Sequence, residues 1–161
     1  MPNMIAAERF SKQLLEMFDE TFENHHGRYL DKNTTLFETL ATISAEEASR
    51  PVSATCASIA AQVEHVRFYL EVNQKDLVGE EIGPLDWGEI WRTVEAVTPE
   101  EWEVSKTRLR EAYQHFRGLL QKVDTWDNEY VIGSTLNILV HTAYHLGEIR
   151  QALCTIQSGR G

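Results

Sequence analysis

Residues 130–157 read YVIGSTLNILVHTAYHLGEIRQALCTIQ, a long stretch without proline. Ile132, Leu136, Leu139, Ala143 and Leu153 fall on one stripe of a 3.6-residue period. That period predicts a long helix over about Tyr130–Gln157 with those five side chains buried. Upstream, Thr98-Pro99-Glu100-Glu101 places an N-cap threonine, a proline at the first helical position and a capping-box glutamate in register. A second long helix therefore starts there and runs through Trp102, Leu109, Tyr113, Phe116 and Leu120 to about Val123. A third is expected from Pro51 or Ser53 to Asn73, with Val52, Cys56, Ile59, Val63, Val66 and Leu70 as its seam. A fourth, at the start of the chain, runs from about Met4 to Phe22 on Phe10, Leu14, Phe18 and Phe22, and Gly27 is placed to cap its end.

The connections carry weaker patterns. A short helix is expected around Thr35–Thr42, and Ser44 with Glu47 makes a capping box for another turn. Gly79, Gly83, Pro84 and Gly88 break up residues 74–97, where Trp87, Ile90, Trp91 and Val94 suit a short amphipathic helix. No segment alternates in the manner of a strand bounded by hairpin turns. The expectation is an all-α protein, a four-helix bundle with long first and middle connections, forming one domain over residues 1–161. Ser158–Gly161 are expected to fray.

A formal net charge of -10 disfavours nucleic acid and anionic membrane surfaces, because both are held by lysine and arginine. No apolar run reaches a membrane span, and the first residues lack the basic start and apolar middle of a signal peptide. Cys56 and Cys154 read as small core residues in a reducing compartment, so a cytoplasmic location is expected.

Chemistry is concentrated in the histidines. His141 and His145 are four apart, which puts both imidazoles on one helix face about 6 Å along the axis. They stand among Leu139, Val140, Ala143, Tyr144 and Leu146, and adjacent imidazoles in apolar surroundings need hydrogen bonds or an ion. His65, beside the Val63–Val66 seam, can supply a third ligand from a neighbouring helix. Gly147 suggests close approach of another backbone or of a ligand, since a helical glycine costs about 1 kcal/mol against alanine. Three neutral imidazoles leave an open coordination position and suit zinc, nickel, copper or iron. Glu148 shares their face, as a base or as a group orienting a ligand histidine; a solvated glutamate would look the same. Tyr69 reads as core, with a place in the pocket as the alternative, and His25, His26 and His115 as surface or capping residues.

Three segments together resemble the DinB-like family of the DinB/YfiT superfamily: Ser58-Ile59 through His65 to Leu70, Trp91 with Thr98-Pro99-Glu100-Glu101-Trp102, and His141-Thr142-Ala143-Tyr144-His145-Leu146-Gly147-Glu148-Ile149. The likeness covers nearly the whole chain. It implies a metal-binding bundle in which His65, His141 and His145 hold a divalent ion, commonly nickel or zinc. Many relatives read Arg-Gly-Gln after the last histidine, where this chain has Leu146-Gly147-Glu148. The resemblance further implies thiol-dependent transfer or isomerisation, with a low-molecular-weight thiol among the substrates. The alternatives are a metal-dependent hydrolase and a non-catalytic, metal-binding stress-response protein. Homodimers are common in the family, and Trp87 and Trp91 would then sit at the contact or cap their own core.

Overall fold

Local capping sets most helix starts in the computed structural model, which describes residues 5–159. Thr98 accepts from the Glu101 amide and the Glu101 carboxylate accepts from the Thr98 amide at 2.7 Å, so helix α6 (Pro99–Leu120) begins where the sequence placed it. The same reciprocal box at Ser44/Glu47 opens α3 (Ala45–Ser49), and one at Thr35/Glu38 opens α2 (Leu36–Ala41). α1 spans Ala7–Phe22, α4 Ile59–Asn73, α5 Glu89–Thr93 and α7 Glu129–Ser158. A 3-10 turn, Gln74–Val78, continues α4, and no strand occurs among the described residues. The protein is all-helical. The expected beginning of the first helix at Met4, and the last two residues of the frayed end, lie outside the described residues.

Four expectations fail in instructive ways. α4 starts at Ile59, not Pro51 or Ser53, because Ser58 is the residue whose side chain accepts from an amide, that of Ala61 at 3.1 Å. Residues 51–58 are a loop in which Val52 and Cys56 are exposed. α1 ends at Phe22, with the Glu23 and Asn24 amides bonded back to Asp19, so Gly27 (φ +71°) turns the following loop and is not a helix cap. Neither cysteine is in the core: both Cys56 and Cys154 are exposed, the first in the loop and the second on the outer side of α7. Last, the stripe expected to be buried on α7 is not the one that packs. Leu136 is 40% exposed, while Ile132, Leu139, Ala143 and Leu153 are half-buried. The buried line is Thr135, Ile138, Thr142, His145, Ile149, Ala152 and Ile156, alternating steps of three and four.

The four helices longer than one turn or two share one core. α1 and α4 each pack between α6 and α7. Phe18 meets Phe116 edge-on at 4.8 Å and Phe22 stacks on Tyr113 at 4.1 Å, all four rings fully buried. Each such ring contributes about 1.5–3 kcal/mol by burial. Trp102 donates its indole N–H to the Ile43 carbonyl at 2.7 Å, joining α6 to the loop between α2 and α3. Glu20, fully buried in α1, accepts from the Arg28, Tyr29 and Leu30 amides and so ties down the loop after α1. Burial alone would raise its pKa, but those three amides hold the carboxyl below the usual range. No helix among the described residues is long and apolar enough to cross a membrane.

Candidate metal centre

His145 belongs to the buried line of α7, and His65 to the face of α4 that packs against it. His141, one turn before His145, sits half-buried at the edge of the same contact. The helix pairing thus brings together the three histidines expected from sequence. His65 Nε2 lies 3.0 Å from His141 Nε2, and the ring centroids are 4.5–5.0 Å apart. Ligand-capable nitrogens of all three rings fall within 4.8 Å of one another, a cluster able to hold a metal ion.

The electrostatics keep these rings neutral, the form that binds a metal. Burial, then the neighbouring His145, lowers the His65 pKa to about 4. Burial, followed by His145 and His65, lowers that of His141 to about 3. Burial pushes His145 down as well, against the pull of the Glu148 carboxylate.

Hydrogen bonds fix which nitrogen faces the cluster. His145 Nδ1 donates to Glu148 Oε2 at 2.9 Å, with Gln62 Oε1 a more distant acceptor at 3.4 Å. That tautomer leaves the Nε2 lone pair of His145 free for a metal. His65 Nδ1 and His141 Nδ1 have no hydrogen-bond partner, while the two Nε2 atoms point at each other. A single proton can serve an Nε2···Nε2 contact, and an orphaned buried ring N–H costs about 1–3 kcal/mol. The arrangement is poor as a hydrogen-bond network and good as a donor set for a cation, which takes a lone pair from each ring. The residues therefore fit a metal ion.

Aromatic rings wall the cluster. Tyr69 stacks on His141 at 3.6 Å with 11° between planes, so it is a wall of the site as well as packing. Trp91 leans over His65 at 4.4 Å, and Trp87 packs against Phe68 and Tyr69. Beside His145 opens a groove of about 1000 Å³, bounded by Gln62, Trp91, Tyr144, Glu148, Gln151 and the loop at Cys56. Gly147 borders this groove; nothing lies within 4 Å of where its Cβ would stand, so no second backbone approaches it.

Two contributors were missed in sequence. Gln62 is three residues before His65, one turn back on the same face, and that spacing was a usable signal. Trp91 arrives from α5 across a loop, and no local pattern announces its contact. The remaining histidines lie elsewhere: His25 Nε2 contacts the Leu30 carbonyl, His26 Nε2 contacts Asp19, and His115 Nδ1 contacts Gln74.

Neither a protein-family model, nor a curated protein, nor a solved structure matches the chain.

Proposed function

We propose that this chain is a DinB-like four-helix bundle whose His65, His141 and His145 hold zinc or nickel, and that it transfers an electrophilic group to a low-molecular-weight thiol. One observation carries the reading: three neutral imidazoles converge, with no carboxylate or thiolate among them, beside a groove of the size small-molecule sites have. The resemblance of residues 141–149 to the family supports the choice of thiol chemistry over hydrolysis.

A divalent ion ligated only by neutral imidazoles supplies undiminished positive charge, which lowers the pKa of a thiol or water beside it. The protein's own groups do the positioning. Glu148 holds the His145 proton on Nδ1 and aims Nε2 inward. Tyr69 and Trp91 lie against His141 and His65 and restrict water on those sides. The groove leaves the His145 side accessible to a substrate.

The test begins with element analysis of protein purified without a histidine tag, beside a His65→Ala variant. About one zinc or nickel per chain, lost in the variant, is expected. The loaded protein should then consume glutathione- or bacillithiol-like thiols when an electrophile is present. Wild-type protein that stays metal-free after incubation with both ions removes the basis of the proposal. A metal-loaded protein no faster than free metal across a broad thiol screen removes the transferase reading and leaves the metal site standing.

A further inference from the structure

Among the described residues, no lysine or arginine pairs with Glu148. Its helical neighbours three and four positions away are Tyr144, His145, Gln151 and Ala152, so none of the usual partners on a helix face is basic. Its ion-pair contact is with His145, a ring whose pKa burial lowers. Glu64 and Glu71, by contrast, close on Arg67. The groove beside His145 has no lysine or arginine in its lining, and Glu148 is its one acidic side chain. In a protein of net charge -10 that groove draws cations and repels anions.

Two large rings stand at the same place. Trp91 lies 6.3 Å and Tyr144 5.1 Å from the His145 ring, between centroids, and both line the groove. They stay 41% and 62% exposed, so neither is there to fill the core. The Tyr144 hydroxyl bonds to the Glu148 carboxylate, which raises its pKa and sets ring and charge side by side. The face of an aromatic ring is electronegative and attracts a cation within about 6 Å of its centre. A carboxylate framed by a tryptophan and a tyrosine thus offers charge and quadrupole to one guest. The groove's other polar side chains include Gln62, Gln151 and Thr155, all uncharged. The carboxylate already accepts from His145 Nδ1 and Tyr144, which leaves little of it for the three donors of a primary ammonium. An alkylated nitrogen donates nothing and presents methyl groups to the rings.

We propose that the groove takes a substrate bearing an alkylated ammonium group, a choline-like head held by Glu148 between Trp91 and Tyr144. The inference deepens the function proposed above and rests on the groove being where the substrate lies. The His145 ring divides the two ends of such a substrate. Its Nδ1 faces Glu148, and its other nitrogen is the one left for the histidine cluster. The positive head is therefore held away from the cluster, where it does not compete for the imidazole lone pairs. Glu148 serves twice, orienting His145 and binding the head, while Trp91 and Tyr144 set specificity.

The test uses the full chain stripped of metal, with choline, its uncharged carbon isostere neohexyl alcohol, and acetate as probes. Binding is read from the probes' methyl resonances in an NMR titration. Choline should saturate one site and bind at least about tenfold more tightly than the isostere, by a ratio that falls as salt is added. Acetate should not bind. Glu148→Gln should bring choline to within about twofold of the isostere and leave the isostere's own affinity unchanged. Trp91→Leu should weaken choline binding about tenfold with an unaltered circular dichroism spectrum, and Trp91→Phe, which keeps a ring face, should recover part of the loss. Gln151→Lys puts a cation on the same wall and should abolish choline binding. Choline no tighter than its isostere overturns the inference, as does a Glu148→Gln variant that weakens both alike. Choline binding that survives Gln151→Lys overturns it too. No metal or thiol enters these measurements. A chain that binds choline but transfers nothing to a thiol keeps this inference and loses the transferase reading. One that transfers to a thiol yet does not tell choline from its isostere does the reverse.

Discussion

Glu148→Gln should weaken metal binding about tenfold, and it should do so only through His145. The carboxylate accepts the His145 Nδ1 proton at 2.9 Å and so fixes the ring's tautomer and orientation. Glutamine keeps the length and an acceptor oxygen but removes the charge, and a charge-assisted hydrogen bond is roughly twice as strong as a neutral one. Outer partners of metal-bound histidines are typically worth 10–100-fold in affinity. Two features of this site place Glu148→Gln at the lower end. The Glu148 side chain is 39% exposed, so water screens its charge, and Gln62 Oε1 stands 3.4 Å from the same Nδ1 as a reserve acceptor. Tenfold corresponds to about 1.4 kcal/mol.

Removing the reserve as well, with Gln62→Leu beside Glu148→Gln, should bring the loss towards about a hundredfold. The assay is zinc competition against a chromogenic chelator at fixed pH and ionic strength. The decisive arm repeats Glu148→Gln in a His145→Ala background, where the coupling has nothing to act on and the substitution should be silent. An equal loss in that background would refute the reasoning, because Glu148 would then be acting on the ion directly. Unchanged affinity in the Glu148→Gln, Gln62→Leu double variant would refute it from the other side.

Three further outcomes are expected. In metal-free protein, His65 and His141 have pKa values near 4 and 3 when folded, against about 6.5 when unfolded, so the unfolded chain takes up protons first as pH falls. Their contribution to stability is complete above pH 6.5 and is lost as pH falls towards 4 and 3. Urea unfolding at pH 7, 6, 5 and 4 should show wild type losing ground to a His65→Leu, His141→Leu variant, and a constant difference would disprove this. Trp102→Phe removes the donor to the Ile43 carbonyl and leaves space in the core, and should cost about 2–4 kcal/mol in urea unfolding at unchanged m. Gly147→Ala meets open space and should stabilise the helix by about 0.5–1 kcal/mol in urea unfolding.

What the sequence revealed follows how local each determinant is. The start of α6 was readable because Thr98, Pro99 and Glu101 settle it within four residues, and their capping bonds form as expected. The start of α4 was misread because Val52 and Cys56 continue its apolar period into residues that are exposed loop. Ser53 and Ser58 are equally good caps as letters, and only tertiary packing distinguishes them. Helix geometry puts His141 and His145 on adjacent turns, but spacing alone does not distinguish ligands from ordinary half-buried histidines; the resemblance of the segments around His65 and His141–Ile149 to the DinB-like family is what singled out the three together. Their approach to His65 depends on how α4 packs on α7, and Trp91 reaches the cluster over a connection with no periodicity of its own.

The misplaced face of α7 has a different cause. A helix that buries one side usually declares it by being polar on the other, and the buried stripe can then be read from the contrast. Here the buried line includes Thr135, Thr142 and His145, while Leu136, Val140 and Tyr144 look outward. Apolar content therefore points to the wrong side, and no periodicity argument within one chain can correct it. The polar residues on the inner line include His145, whose imidazole faces the other two histidines. A site that places polar groups on the inner line thus blurs the helix's amphipathic pattern. His145→Ala should lower metal content while leaving α7 helical, read by element analysis and circular dichroism; unchanged metal content would show that the polarity of the inner line has another origin.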